Sequence, residues 1–330
     1  MRAVRAHTRG GWEQLVYEQA PRPYPRPGEV LVAVQAASVT SGELGWDATW
    51  TDSIDGTGHD RTPIIPSHEM SGVLALLGEG VTGLTVGDEV YGLIPFTRDG
   101  AAAEYVAVPA DVLAAKPVSV DHIHAAAVPL AGLTAWQALV DHAQLTAGQH
   151  VLIQGGAGGV GSFVVQIAAV LGAKVTATAS ANDKAFVTEL GATSVIDYAN
   201  QRFEDHVTDV DVVIDLVGGQ TQTRSWQVLR PGGTLVGIAA PPSPTEAKRH
   251  GARGVFFIVT PNGGQLTELT RLIDDRRLRP IVDRVVPLEQ TRIAYQALEH
   301  EHPRGKIVIS VPWRQPLSDA SGTQSGREGR

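Results

Sequence analysis

The fold of this chain is decided by the stretch VLIQGGAGGVG, residues 151–161. A short apolar run at 151–153 predicts a buried strand, and the pattern of residues 162–171 predicts an apolar helix. Between them, residues 156–161 match G-x-G-x-x-G, which is a weak signal alone but follows a strand and opens a helix here. The stretch therefore predicts a βα unit that binds a dinucleotide, with its pyrophosphate at the positive end of the helix.

Each glycine of this loop has an expected role. Gly156 permits the tight turn, Gly158 lets the backbone approach the pyrophosphate, and Gly161 lets the helix pack close to the sheet. The predicted cofactor loop consists of Gly156, Gly158, Gly159, Val160 and Gly161. The alternative is a glycine-rich turn without a ligand.

From about residue 125, short apolar runs alternate with helical patterns, which is typical of a doubly wound parallel sheet in an α/β domain. Strands are predicted at 151–153, 174–179, 194–197, 211–217 and 234–238, and helices at 162–171, 182–190, 265–275 and over a segment ending near 231–233. Residues 241–253 are interpreted as a mobile loop beside the cofactor cleft.

Both ends of the chain have strand patterns, such as 29–36 and 306–311. We therefore predict two domains. Residues 1–122 and 281–330 form a β-rich catalytic domain, and residues 123–280 form an inserted Rossmann-like domain. The tail, 314–330, is rich in Ser, Gly, Gln and charge and is predicted to be disordered.

Composition excludes several classes of function. The 330 residues contain 27 Lys and Arg against 35 Asp and Glu, a net charge of −8 with no basic cluster, which argues against nucleic acid. No apolar stretch approaches the roughly 20 residues of a membrane span, and the N-terminus lacks a secretory signal pattern. The chain has no cysteine, which excludes disulfides and Cys-based zinc sites and fits a cytoplasmic protein.

The end of the second predicted strand indicates the type of nicotinamide cofactor. NAD sites place Asp or Glu there to bind the ribose 2′-hydroxyl. In this sequence the strand end, residues 177–182, has no carboxylate, and the first one to follow is Asp183. Ser180, Lys184 and Tyr198 could instead bind a 2′-phosphate, so NADPH is predicted. The alternative for Lys184 is an ordinary solvated helix residue.

Six segments together resemble the medium-chain dehydrogenase/reductase superfamily, in its zinc-free quinone oxidoreductase branch. They occur in family order over residues 1–312 and are GEVLV (28–32), PIIPSHEMSG (63–72), GDEVYG (87–92), PLAGLTAW (129–136), the glycine loop and RGKIV (304–308). The resemblance implies a GroES-like catalytic domain, a Rossmann-like cofactor domain, an active site in the cleft and a homodimer formed through edge strands of the cofactor domains. The predicted cofactor contacts also include Thr134, Gly237 and Lys306.

Zinc-dependent members of this superfamily hold their metal with a Cys, a His-Glu pair and a second Cys. In this sequence those positions are Thr40, His68-Glu69 and Leu130. A catalytic zinc needs three protein ligands and an open position, so we predict no metal. His68 is interpreted either as a general acid or substrate donor, or as a structural histidine beside Glu69.

Two further features concern the substrate. The quinone reductase branch usually has Asn at the position of Thr40, so the hydroxyl of Thr40 is the candidate donor to a substrate carbonyl. Trp46 and Trp50 fall in the segment that shapes the family's substrate pocket. They could stack on a flat conjugated substrate or serve ordinary packing.

Together these observations predict metal-free, NADPH-dependent reduction of a small-molecule quinone or α,β-unsaturated carbonyl compound. The cofactor supplies hydride, and the protein supplies position and a donor to the forming oxyanion. Two alternatives remain open at this stage. One is a zinc-dependent alcohol dehydrogenase, and the other is a non-catalytic NADPH-binding protein.

Overall fold

The structure of the protein is a computed structural model that describes residues 1–312. Its strands are β1 (Arg2–Ala6), β2 (Leu15–Gln19), β3 (Glu29–Ser38), β4 (Glu69–Leu77), β5 (Glu89–Leu93), β6 (Tyr105–Pro109), β7 (Leu113–Ala115), β8 (His150–Gln154), β9 (Lys174–Ala179), β10 (Ser194–Asp197), β11 (Val210–Asp215), β12 (Leu229–Gly237), β13 (Arg253–Phe256), β14 (Val282–Pro287) and β15 (Lys306–Ser310).

The α-helices are shorter and connect or flank these strands. They are α1 (Asp47–Trp50), α2 (His122–Ala126), α3 (Pro129–Trp136), α4 (Gly159–Val170), α5 (Lys184–Glu189), α6 (Gly219–Ser225), α7 (Pro244–Arg249), α8 (Gly263–Asp274) and α9 (Thr291–His300). A π-helical segment, Gln137–His142, continues α3. Within residues 1–312, no helix has the length and apolar character needed to span a membrane.

Six strands form a parallel sheet in the order β10-β9-β8-β11-β12-β13. The chain moves outward from β8 to β10 and then returns to β11 on the other side of β8. Ligands of open α/β sheets bind outside the carboxyl ends of the strands where the order reverses. That position is the loop after β8, which contains the glycine motif.

The central strand β8 is buried because its two faces pack against different layers. Val151 and Ile153 share one apolar cluster with Phe163 of α4, whereas Leu152 belongs to a second cluster with Trp226. All three β8 residues have no exposed surface. Alternate residues of a strand point to opposite faces, so a continuous apolar run is what a sheet covered on both sides requires.

A second sheet joins the two ends of the described chain. Its order is β14-β15-β3-β4-β5-β7, with β6 also pairing with β3, while β1 and β2 form a separate antiparallel pair. Strand β15 runs antiparallel to β3, with Ile309 opposite Ala37. The predicted fold class, a GroES-like β-rich part with a Rossmann-like parallel sheet, is confirmed. The domain boundaries at 122/123 and 280/281 stay predictions.

The predicted strands 174–179 and 194–197 match β9 and β10 residue for residue. Other predictions were wrong. The helix expected to end near 231–233 ends at Ser225, and β12 already begins at Leu229, with residues 230–232 exposed at an irregular strand start. Helix α9 lies where only strands were expected. The tail, 314–330, lies outside the described residues.

Residues 241–253 are not an irregular loop, because they contain helix α7 and the first residue of β13. Pro244 is the first residue of α7, and the side chain of Ser243 accepts a hydrogen bond from the backbone of Glu246. Both features favour helix initiation. Strand β13 lies four strands away from β9, so this segment is remote from the predicted 2′-phosphate site.

Candidate active site

The loop between β8 and α4 places the start of helix α4 at the carboxyl end of β8, where the strand order reverses. The backbone turns at Gly155, where φ is +86°, and the N–H of Gly156 donates to the oxygen of Thr178 at 2.8 Å. Helix α4 begins at Gly159, and no side chain caps it. The first N–H groups of a helix lack intrahelical partners and carry the positive end of its dipole. This helix start therefore offers backbone donors to a phosphate.

The glycines of the loop differ in the space around them. A methyl group on Gly161 would lie 2.0 Å from the Gly155 oxygen, and one on Gly156 would lie 3.0 Å from the Ala177 methyl group. At Gly158 the nearest atom would be 3.9 Å away. The prediction that Gly156 makes the tight turn was wrong, because Gly155 has the positive φ. Gly156 and Gly161 permit close packing, and Gly158 leaves room outside the loop.

The three predicted 2′-phosphate residues lie together at the carboxyl ends of β9 and β10. Ser180 follows β9, Lys184 is the exposed first residue of α5, and Tyr198, 61% exposed, follows β10. The Ser180 hydroxyl donates to the carboxylate of Asp183 at 2.6 Å. Sequence reasoning therefore located this group of side chains, but Ser180 already has an acceptor.

Arg304, in the loop before β15, reaches the same place and was missed by the sequence analysis. Its Nε donates to the carboxylate of Asp183 at 2.5 Å, and its second guanidinium nitrogen donates to the oxygen of Asn182 at 2.7 Å. The positive charge of Arg304 thus balances Asp183, the first carboxylate that follows β9 in the chain. Arg304 and Asp183 are 121 residues apart in the chain, so no local sequence pattern predicts this ion pair.

Two predicted cofactor contacts are buried instead. Thr134 is 3% exposed, and its hydroxyl donates to the oxygen of Leu130 at 2.7 Å, one turn earlier in α3. Gly237 ends β12, and a methyl group there would lie 2.4 Å from the oxygen of Ala240. Each serves local packing in this structure, and the role of both in the cofactor site stays a prediction.

Thr40, Glu69 and Lys306 form a charged centre near the glycine loop. The ammonium group of Lys306 donates to the oxygen of Val39 at 2.9 Å and to the hydroxyl oxygen of Thr40 at 3.0 Å, and pairs with Glu69 Oε1 at 2.7 Å. Glu69 Oε2 accepts the N–H of Leu130 at 2.8 Å. The ammonium group of Lys306 faces Thr40 and Glu69 in this structure, and its direct contact with the cofactor stays a prediction.

Thr40 remains accessible although its partners are buried. It is half-buried, and it lines a cavity of about 410 Å³ together with Leu44, Tyr295 and Leu298. Its hydroxyl is 3.4 Å from Glu69 Oε1, at the long limit for a hydrogen bond. The hydroxyl can therefore reorient toward a better acceptor.

His68 belongs to a buried network and not to an open site. Its ring is 1% exposed, Nδ1 lies 2.5 Å from Glu43 Oε1, and Nε2 lies 3.0 Å from the oxygen of Arg98. Glu43 also accepts the Tyr295 hydroxyl at 2.6 Å and the N–H of Ser67 at 2.8 Å. The prediction that His68 is a catalytic acid or donor is corrected to a structural role, because both ring nitrogens have protein partners.

The charge state of this network follows from its hydrogen bonds. Burial would raise the pKa of Glu43, but the hydrogen bond and charge of His68, with hydrogen bonds from Tyr295 and Ser67, hold that pKa below its usual value. Burial, together with the Glu43 charge, raises the pKa of the Tyr295 hydroxyl well above its usual value. Glu43 is therefore an ionised acceptor, and the ring of His68 and the neutral phenol of Tyr295 donate to it.

The two tryptophans predicted to contact the substrate lie in different environments. Trp46 is half-buried and meets the ring of Phe96 edge-on, with centroids 5.2 Å apart, so it remains a candidate for the substrate pocket. Trp50 is 2% exposed and donates its indole N–H to the oxygen of Leu44 at 2.8 Å. Of the two roles considered for Trp50, ordinary packing is the one observed, because its ring lies in the core of the catalytic half.

These residues do not fit a zinc ion, which needs three protein ligands and an open position. Among the family's ligand positions, Thr40 offers a hydroxyl and Leu130 an apolar side chain, and the ring of His68 is already bonded through both nitrogens. The chain contains no cysteine. Across residues 1–312, no three His, Asp or Glu side chains are grouped so that they could hold a metal.

Comparison with known proteins agrees with the two sheets and the glycine loop. Residues 26–118 match the family model described as alcohol dehydrogenase GroES-like domain, and residues 190–309 match zinc-binding dehydrogenase. The chain belongs to the medium-chain dehydrogenase/reductase family and is an oxidoreductase.

The named relatives of this chain are oxidoreductases whose names specify a cofactor or a substrate. The chain is 31% identical to the mitochondrial NAD(P)H oxidoreductase RTN4IP1 of Mus musculus, over 86% of this chain and 82% of that protein. It is 37% identical to the chloroplastic NADPH-dependent alkenal/one oxidoreductase of Arabidopsis thaliana, over 75% and 64%. The quinone oxidoreductase structure from Coxiella burnetii superimposes with a TM-score of 0.86 at 31% identity, over 94% and 99%. The cytoplasmic location stays a prediction, since the mouse relative is named as mitochondrial and the Arabidopsis relative as chloroplastic.

Proposed function

We propose that this protein reduces an α,β-unsaturated carbonyl compound or a quinone with NADPH and without a metal ion. The observation that carries this proposal is the half-buried Thr40, whose hydroxyl contacts the Lys306–Glu69 pair at a centre whose residues do not fit zinc. Two named relatives act on alkenals or alkenones and on quinones.

The proposed chemistry needs little from the protein beyond position and one donor. When bound, the cofactor supplies hydride, which adds to the β-carbon of the acceptor. The electron pair of the double bond then moves to the carbonyl oxygen, where the Thr40 hydroxyl donates a hydrogen bond to the developing charge. Water supplies the proton to the α-carbon, which completes the reduction.

The direct test is a turnover screen with chelator-treated protein. We expect oxidation of NADPH in the presence of enones and quinones, with unchanged rates after removal of divalent metals, and a saturated carbonyl product from the enone. Simple alcohols and ketones are the control substrates. Alcohol oxidation that appears only after zinc is returned would contradict the proposal, and so would a cofactor fluorescence change without any turnover.

We further propose that the ends of β9 and β10 select NADPH over NADH. The exposed Lys184 and the guanidinium of Arg304 lie beside this place, and Arg304 neutralises Asp183. A 2′-phosphate would gain charge-assisted hydrogen bonds from these groups, each worth about 1.5–3 kcal/mol.

Replacing Lys184 or Arg304 by Ala should therefore lower the NADPH preference. We expect kcat/KM for NADPH to fall about 10-fold to 100-fold, with little change for NADH. Lys174→Ala is the matched control, because Lys174 is exposed at the opposite end of β9. Equal losses with both cofactors would contradict this assignment of the 2′-phosphate site.

We also propose a homodimer formed through β13. In the part of the chain that the structure describes, β13 pairs only with β12. Its last residue, Phe256, is 43% exposed, and Ile258, which follows it, is 49% exposed. Sedimentation should give a dimer that Phe256→Asp converts to a monomer, since a charge on this edge opposes strand pairing. Ile54→Asp, at an exposed position elsewhere, should leave the dimer intact. A monomeric wild-type protein would contradict the proposal.

A further inference from the structure

The centre beside Thr40 contains one buried cation, and it is a lysine. Lys306 enters from the start of β15, and its side chain is 6% exposed. Its three N–H groups match three acceptors, which are the oxygen of Val39, the hydroxyl of Thr40 and the carboxylate of Glu69. An ammonium group has three donors, so the structure uses the full donor capacity of Lys306 at this point.

This ion pair lies among the residues at the family's metal-ligand positions. Lys306 contacts Thr40, and Glu69 reaches from Lys306 to the N–H of Leu130. His68, the remaining position, is bonded instead to Glu43 and to the Arg98 oxygen. The fixed positive charge nearest to Thr40 is therefore an ammonium group.

We infer that Lys306 is a positioning residue that polarises the Thr40 hydroxyl, so that Thr40 donates to the substrate oxygen on which negative charge develops. This inference rests on the proposed function. It assigns to a lysine the electrostatic role that a metal ion has in zinc-dependent relatives. Lys306 acts through Thr40 and does not itself contact the substrate.

The hydrogen bonds support this direction of polarisation. The Thr40 oxygen accepts a hydrogen bond from the Lys306 ammonium group, so its own hydrogen must point elsewhere. Its acceptor among residues 1–312 is Glu69 Oε1 at 3.4 Å, a long bond that a substrate carbonyl at ordinary distance would replace. Hydrogen bonds in a chain strengthen one another, and more so away from water. A hydroxyl that accepts from an ammonium group is therefore a better donor.

Direct binding of the cofactor by Lys306 is the competing role. The side chain passes close to the glycine loop, since a methyl group on Gly159 would lie 3.0 Å from Cδ of Lys306. That approach involves the methylene stem, whereas the ammonium group is turned toward Thr40. The two roles predict different kinetic effects, because a cofactor ligand changes the Kd of NADPH and a positioning residue changes kcat.

A double-mutant cycle on kcat separates these roles. One arm is Thr40→Val. The other is the paired change Lys306→Met with Glu69→Gln, which removes both charges together and leaves neither buried and unpaired. We expect Thr40→Val to lower kcat about 100-fold and the paired change to lower it at least about tenfold. The triple variant, which combines Thr40→Val with the paired change, should be no slower than Thr40→Val alone. The Kd of NADPH should stay within about threefold of the wild-type value in all of these variants.

Controls separate polarisation from loss of structure. Thr40→Ser keeps the hydroxyl and should restore kcat to within a few-fold of the wild type. Lys116→Met removes a lysine of the same 6% side-chain exposure, paired with Glu89 away from this centre, and should leave kcat unchanged. If the paired variant does not fold, Lys306→Arg takes its place, because it keeps the charge and should retain more activity than Thr40→Val.

Three results would overturn the inference. They are additive losses in the triple variant, a raised Kd of NADPH with unchanged kcat, and a Lys306→Arg enzyme as slow as Thr40→Val. The proposed function fails separately, if the wild-type protein reduces neither enones nor quinones. If the wild-type enzyme reduces these substrates but the losses in the mutant cycle are additive, only the role of Lys306 is disproved.

Discussion

Replacing Glu43 by Ala should destabilise the protein by about 3–5 kcal/mol. The carboxylate of Glu43 is 1% exposed and accepts hydrogen bonds from His68, Tyr295 and the backbone of Ser67. Its loss leaves three buried donors without their acceptor, and unpaired buried polar groups are costly. The effect is a large fraction of the roughly 5–15 kcal/mol by which domains are stable.

Chemical denaturation at neutral pH measures this loss. Glu43→Gln keeps the shape and removes only the charge, so its loss should lie between those of the wild type and Glu43→Ala. The control is Glu268→Gln, in the exposed pair of Glu268 with Arg271, which should change stability by less than about 1 kcal/mol. Equal and small effects at Glu43 and Glu268 would show that the buried network does not hold the fold together.

The same carboxylate makes stability depend on pH with a definite sign. Because folding lowers the pKa of Glu43 below the ordinary value of 4.5, the unfolded chain takes up its proton first as the pH falls. The contribution of Glu43 is therefore complete above that ordinary value and is lost as the pH falls through the pKa of the folded state. The stability difference between the wild type and Glu43→Gln should shrink over this acidic range and stay constant near neutrality.

Replacing Gly158 by Val should abolish useful cofactor binding while leaving the fold intact. A Cβ atom on Gly158 would meet no atom closer than 3.9 Å, so the folded protein has room for the start of a side chain there. If the pyrophosphate approaches the backbone at this point, the added side chain occupies its place. We expect the Kd of NADPH to rise about 100-fold, equivalent to about 2.7 kcal/mol.

Gly161→Ala is the matched comparison, because even a single methyl group would lie 2.0 Å from the backbone oxygen of Gly155. That variant should lose both thermal stability and cofactor binding, whereas Gly158→Val should lose binding alone. Fluorescence titration with NADPH and thermal unfolding distinguish the two. A Gly158→Val protein that binds NADPH normally would place the pyrophosphate away from this loop.

Local sequence signals identified the parallel sheet well. Strands β9 and β10 match their predicted bounds because each is a short segment with buried Val, Ile or Ala residues between turns, as a buried parallel strand requires. Helix α9 was not predicted, although Thr291, Ala294, Tyr295 and Leu298 recur at the i, i+3, i+4, i+7 spacing of a helix face. The strand pattern of residues 306–311 was extended over this segment.

The chemistry of the site was predicted less well, since it depends on pairs far apart in the chain. Lys306 and Thr40 are 266 residues apart, and Tyr295 and Glu43 are 252 apart. No periodicity within a window of sequence can report such partners. Residue types suggested Thr40 and His68 as candidates, but only the folded arrangement shows that His68 is bonded on both sides and Thr40 is not.

The pairing of β15 with β3 has a consequence for how the molecule is made on the ribosome. Strand β3 leaves the exit tunnel early and is soon followed by its partners β4 and β6, yet its third partner, β15, is synthesised about 270 residues later, as the separation of Ser38 and Ile307 shows. The six parallel strands are translated in between and can condense first, because domains generally fold as units during synthesis. An open edge of β3 must therefore stay shielded while the chain grows, which makes nascent-chain aggregation the hazard that this topology carries.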